Sequence, residues 1–168
     1  VGKSTRMHQT VAEMKLQDIE VEMAPEYAKE MVWQESNPDV LNNQVHVFGV
    51  QQNRIHRLLG QVDVIVTDAP LLHSIVYDRL YDFVGPSEAF HKLVYDQFSR
   101  LENVNIVLRR DEEEYLTNGR QQDLEEAREA DKVLREVLTD YSVEHTPMNM
   151  QAPVDKLMSV IESNANLT

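Results

Sequence analysis

Cysteine is absent from this chain of 168 residues, which excludes both a disulfide framework and a thiolate metal site. The six histidines, His8, His46, His56, His73, His91 and His145, form no HExxH or other close-set ligand pair, so they read as scattered surface or packing residues. No uncharged apolar run approaches the roughly 18 residues that a membrane span needs. The first residues, Val1 to Arg6, have no apolar stretch of the signal-peptide kind, and a cytoplasmic location is the expectation. Basic residues are in deficit, 16 against 29 acidic ones. The resulting net charge of −13 repels polyanions, argues against a broad nucleic-acid surface, and confines any bound phosphate to a small local site. Repeats, low-complexity tracts and Gly/Ser linkers are also missing, so one domain over residues 1–168 is expected.

What is present is an alternation of helical and strand-like segments, the pattern of βαβ units around a mostly parallel sheet. Strands are expected at Ile19–Ala24, Val62–Asp68, Val104–Arg109 and Ser142–Thr146, the second being the most apolar and therefore central. Helices are expected at Ser4–Leu16, Pro25–Trp33, Asn43–Leu59, Ser87–Leu101, Gln121–Tyr141 and Pro153–Ser163. In the fifth, Leu124, Ala127, Leu134, Leu138 and Tyr141 recur at helical spacing opposite a charged face, as suits a helix laid on a sheet. Arg110–Gln122 is charged, has no apolar stripe, and reads as a surface loop.

Val1-Gly2-Lys3-Ser4-Thr5 carries the ending of the phosphate-loop pattern GxxxxGK[ST], followed at once by a helical segment. Glycine lets backbone N–H groups turn inward around an anion, and the helix start adds its positive dipole end. Lys3 would reach the β- and γ-phosphates of a nucleotide, Ser4 would ligate Mg²⁺, and Gly2 and Thr5 complete the cradle. A Gly-Lys pair at a helix start can also be a plain solvated terminus. The apolar strand ending in Asp68 gives the motif a context, because a Walker B carboxylate sits beside the magnesium at the carboxyl end of the sheet. Asp68 could otherwise cap the turn before Ala69-Pro70. Glu26 follows the first strand at the same edge and is the leading candidate to accept a proton from a substrate hydroxyl. Its other reading is support of the helix start at Pro25 through the dipole. Glu20 and Glu22 share one strand face and rank below it. Arg109 and Arg110 end a strand on the presumed active edge, where they could assist phosphate binding or pair with Asp111 and Glu112. Tyr27, Trp33, Phe48, Tyr77 and Tyr81 stand at helical positions and read as core before base-stacking partners.

These blocks, together with Pro25–Trp33, Val47–Arg54, Val62–Leu72, Asn118–Gln122 and Glu125–Ala127, resemble the P-loop kinase-like proteins of phages and bacteria. Those proteins are related to the ribosylnicotinamide kinase domain and are often described as AAA-type ATPases. The resemblance runs in order over nearly the whole chain. It implies a three-layer α/β/α domain whose first strand, the one that leads into the phosphate loop, is missing from this chain. That strand would lie between Val62–Asp68 and Val104–Arg109, so those two are not expected to pair directly. The resemblance also implies that Arg120, beside the hinge Gly119, belongs to a lid at about 110–122 that closes over ATP. On the helix before the central strand, Arg54 and one of Gln51 and Gln52 would face the acceptor. Gln51 is preferred to Gln52 because successive helical residues diverge.

The expected activity is an ATP- and Mg²⁺-dependent phosphotransfer to a small acceptor: a nucleoside, a nucleotide or ribosylnicotinamide. Two alternatives stand beside it. One is an AAA-type NTPase that hydrolyses ATP with no small acceptor; the other is an inactive nucleotide-binding module.

Overall fold

The computed structural model describes residues 2–34, 42–81, 88–109 and 124–164. Its elements, in chain order, are α1 (Lys3–Leu16), β1 (Val21–Met23), α2 (Tyr27–Gln34), α3 (Gln44–His56), β2 (Val64–Val66) and α4 (His73–Tyr81). They continue as α5 (Glu88–Phe98), β3 (Ile106–Arg109), α6 (Leu124–Asp140), β4 (Thr146–Asn149) and α7 (Val154–Asn164). Among the described residues no helix is long and apolar enough to cross a membrane.

Both strand pairings are parallel. β1 lies against β2 with Val21 opposite Val64 and Met23 opposite Val66, and β3 lies against β4 with Ile106 opposite Thr146 and Arg109 opposite Asn149. No ladder joins β2 to β3, as the expected strand order requires, so the described strands form two separate two-stranded sheets. Side-chain alternation nevertheless puts both sheets in one layer. Ile65 of β2 and Val107 of β3 face the same apolar cluster, built on Phe48 and Ile55 of α3, Ile75 of α4, Val94 of α5 and Val137 of α6. Their neighbours Val64, Val66, Ile106 and Leu108 face the opposite cluster, built on Val11 and Met14 of α1 and Leu157, Met158 and Ile161 of α7. The result is helix, sheet, helix, which is the α/β/α architecture expected from the sequence. β2 is only half-buried despite being the most apolar strand; among the described residues it has a strand on one side alone.

Three local expectations need correction. The last strand occupies Thr146–Asn149, not Ser142–Thr146, because Ser142 takes a φ of 51° that closes the turn after α6 and cannot continue a strand. Pro147 is tolerated there since β4 is an edge strand among those described. α2 begins at Tyr27 and not at Pro25; the backbone N–H groups of Glu26 and Tyr27, which have no partner within the helix, are taken by Asp68 and Gln51. α4 is a helix the sequence pattern does not point to, although Leu71 and Leu72 just before it and Ile75 and Val76 within it bury into one cluster.

Candidate functional site

The chain enters α1 through Gly2, whose φ of 111° lies in the left-handed region that favours glycine. A Cβ at this position would also run into the sulfur of Met150, just beyond β4. Arg6, one turn into α1, donates to the carbonyl of Met150 through Nε at 2.9 Å and through a second guanidinium nitrogen. These contacts hold the start of α1 at the carboxyl end of β4. From there the helix start reaches across to the carboxyl end of β2, where Ser4 Oγ donates to Asp68 Oδ2 at 2.5 Å.

Asp68 is buried, two residues past the end of β2, and its second oxygen accepts from the backbone N–H of Glu26 at 3.2 Å. One carboxylate thus joins three segments that the sequence singled out separately. Glu26 stands at the same edge after β1. Its carboxyl is raised above the ordinary carboxylate range, chiefly by burial; the charge of Asp68 adds to the rise, while Lys3 and Lys29 oppose it. Lys3 itself is exposed. Gly2, Lys3, Ser4, Glu26 and Asp68 are therefore brought together, and Thr5 is exposed in the first turn beside them.

A hydroxyl and a carboxylate facing each other are hard oxygen donors. That set suits Mg²⁺, which takes one or two protein oxygens and completes its shell with phosphate oxygens and waters. Ser4 and Asp68 are the residues that would hold it. Among the described residues no group of three acidic or histidine side chains is placed to hold a metal alone.

Gln51 and Arg54 lie one layer behind this edge. Gln51 is buried; its Oε1 accepts from Tyr27 N at 3.0 Å, and its Nε2 donates to the carbonyl of Ala24 and to Thr67 Oγ1, each at 3.4 Å. Arg54 donates to the carbonyl of Pro25 at 3.0 Å, forks onto Glu30, and lies 5.1 Å from the ring centre of Tyr27. The Arg54 hydrogen bond holds the Glu30 carboxyl below its usual range. Both residues brace the turn that carries Glu26. Arg109 ends β3 with an exposed side chain, in register with Asn149, whose neighbour Met150 covers Gly2. Arg110, Gly119 and Arg120, with the acidic run Asp111–Glu114, lie outside the described residues.

Two participants escaped the sequence reading. Thr67 Oγ1 donates to the carbonyl of Ala24 at 2.7 Å and accepts from Ala69 N at 3.1 Å, tying the ends of β1 and β2 together. A hydroxyl one residue before the strand-end acid was the available signal. His73 opens α4 close to Lys3, and its imidazole is pushed down to about 3, mainly by burial and secondarily by the Lys3 charge. Nothing in its spacing distinguished it from the other five histidines. Of the aromatic residues, Phe48 is core and Tyr27 lies under Arg54, while Tyr77 and Tyr81 stack on each other.

A glycine-led helix start, with a Lys-Ser pair whose serine bonds a strand-end aspartate in an α/β/α domain, defines a P-loop NTPase-like nucleotide-binding domain. The profile of the AAA domain family matches residues 1–154, and the chain belongs to that family. No curated protein matches the chain significantly.

Proposed function

We propose that this domain is an ATP- and Mg²⁺-dependent phosphotransferase acting on a small hydroxyl- or phosphate-bearing acceptor: a nucleoside, a nucleotide or ribosylnicotinamide. The observation that carries the reading is Asp68, which engages the Ser4 hydroxyl with one oxygen and the Glu26 backbone with the other. Through it, the group that would meet the metal and the group that would meet the acceptor share one fixed point. Mg²⁺, when bound there, would neutralise charge on the β- and γ-oxygens and orient them.

Lys3 supplies a mobile positive charge to the terminal phosphates, and the start of α1 directs backbone N–H groups at the same anion. Glu26 receives the proton of the acceptor hydroxyl. Its burial raises its proton affinity, which suits a base that must hold a proton through the transfer. The remaining contribution is positioning, for which the Gln51, Thr67 and Arg54 braces fix the β1–α2 turn. Arg120, outside the described residues, would add positive charge as the phosphoryl group moves.

Membership of the AAA domain family favours a second reading, acceptor-independent hydrolysis, in which Glu26 would orient water. Radiolabelled ATP offered to the full-length protein with a panel of nucleosides, nucleotides and ribosylnicotinamide separates the two. Label transferred to an acceptor, with ADP release dependent on it, is the expected result. ADP release indifferent to every acceptor would overturn the phosphotransferase reading in favour of an ATPase.

A further inference from the structure

The seven methionines all lie within the described residues, and most are shielded from solvent. Met7, Met14, Met31, Met148 and Met158 are buried, and Met23 packs against the cluster under α1 and α7. Met150 is the one that combines a partly exposed side chain with a seat at the start of the phosphate loop helix. Its sulfur, Cγ and Cε border the space that a Cβ on Gly2 would fill, so the thioether lies along the backbone that leads into Lys3 and Ser4.

The backbone on both sides of this contact is held. Ala152 N–H bonds to the carbonyl of Asn149 at 3.0 Å and Gln151 N–H to Asn149 Oδ1 at 3.0 Å, which closes a turn around Met150. The Met150 carbonyl accepts from Arg6 Nε at 2.9 Å and from a second guanidinium nitrogen. Gly2 keeps its φ of 111°, and its carbonyl accepts from Arg6 N at 2.8 Å, the first bond inside α1. The N–H groups ahead of Arg6 have no carbonyl within α1 to bond, and these are the groups a phosphate would use. A change in the size or polarity of the Met150 sulfur is therefore passed to the start of α1, because the turn and the Arg6 fork leave the chain little room to absorb it.

We propose that Met150 is an oxidation site that controls nucleotide binding. The oxidant is a small peroxide. The sulfur lone pair attacks one peroxide oxygen, the S–O bond forms as the O–O bond breaks, and the hydroxyl now on sulfur gives its proton to the departing hydroxide, releasing water. Sulfur loses two electrons and the peroxide gains them. The thioether is a weak acceptor that tolerates contact with a glycine backbone, whereas the sulfoxide is bulkier, polar and a strong acceptor. With the space against Gly2 already filled, the added oxygen crowds the helix start and competes with phosphate for its N–H groups. A methionine sulfoxide reductase reverses the change, the oxygen leaving as water while a dithiol becomes a disulfide. The inference rests on the nucleotide-site reading given above, although not on the identity of the acceptor.

The experiment treats the full-length protein with graded hydrogen peroxide, maps added oxygen by peptide mass spectrometry, and titrates each sample calorimetrically with Mg·ADP. Met150 should be oxidised ahead of the five buried methionines, and affinity should fall about tenfold or more, the scale of a lost hydrogen bond to a charged group, while the far-UV circular dichroism is unchanged. Met150→Leu, a volume-conserving exchange, should bind Mg·ADP and keep its affinity through the same treatment, whereas Met23→Leu should remain as sensitive as the parent. Reduction of the oxidised parent by methionine sulfoxide reductase and dithiothreitol should restore binding as the oxygen leaves Met150. Oxidation of Met150 with affinity unchanged, preferential oxidation elsewhere, a loss of affinity that appears only with loss of fold, or a Met150→Leu protein as sensitive as the parent overturns the proposal. If Met150→Leu does not fold, the reductase step decides alone: affinity that stays low after the oxygen has left Met150 overturns it. Should the untreated protein fail to bind Mg·ADP, the nucleotide-site reading falls and this inference with it; binding that peroxide leaves untouched sinks the inference alone.

Discussion

On the β1–β2 side, the start of α1 is held by side-chain chemistry, with Ser4 on Asp68 and Asp68 on the backbone of Glu26. On the β3–β4 side, it is held by main-chain and packing contacts, with Arg6 on the carbonyl of Met150 and Met150 against Gly2. The first set is made of groups that metal and phosphate would re-engage. The second, Arg6 on a carbonyl and a methionine on Gly2, anchors the helix start by packing. The comparison teaches that, on the proposed function, one half of the molecule would carry the reaction while the other fixes the helix against which it runs.

The sharpest way to break this division is to remove charge from the reactive half. In the full-length protein, Lys3→Ala and Asp68→Asn should each lower turnover by about 10² or more with little change in melting temperature. Near-normal turnover in either variant would sink the assignment. Strain on the anchoring half should reverse the pattern. Gly2→Ala forces a side chain into a left-handed backbone and against Met150, so a stability loss of about 1–3 kcal/mol is expected in denaturant titration. Adding Met150→Ala should relieve the collision and leave the backbone cost; full recovery would show that the φ of 111° is not a constraint.

A smaller effect is expected from Arg6→Ala. It removes a forked contact to one carbonyl and should cost about 1 kcal/mol of stability, with turnover reduced far less than by Asp68→Asn. A turnover loss as large as that of Asp68→Asn would place Arg6 in the reactive half. The smallest signal is the pH dependence of Glu26. Its folded-state proton affinity is raised, so as pH climbs past the unfolded value near 4.5 the unfolded chain sheds the proton first and stability falls. Glu26→Gln should therefore gain stability relative to the parent as pH rises through that window, then run parallel to it. A gain that is constant from pH 4 upwards would mean the carboxyl is not raised.

Much of the reactive half could be read in advance because its residues sit at strand ends and helix starts, where spacing along the chain becomes proximity in space. Lys3, Ser4, Glu26 and Asp68 are of this kind. Gln51 marks a limit of this: helical periodicity tells which turn it occupies, while its partners Tyr27 and Ala24 depend on how α3 lies against the β1–α2 turn. His73 was invisible for a similar reason, since what sets it apart is burial beside Lys3, a tertiary property. The shifted β4 shows a limit of apolar pattern. Val143 alternates as a strand residue would, yet its backbone N–H returns to the carbonyl of Leu138 at 2.8 Å and finishes the helix turn.

The interruption between β2 and β3 leaves a mark on individual amides. Val64 N–H bonds to the carbonyl of Glu20 and Val66 accepts from Ala24, so these two residues spend their backbone groups on β1. Parallel pairing alternates, and the N–H and C=O of Ile65 therefore point to the other edge, where no described strand meets them. In deuterated water the peptide N–H of Ile65 should exchange far sooner than that of Val64, one residue away on the same strand. A protection pattern of alternate residues along β2 would report directly whether anything comes to lie against that edge.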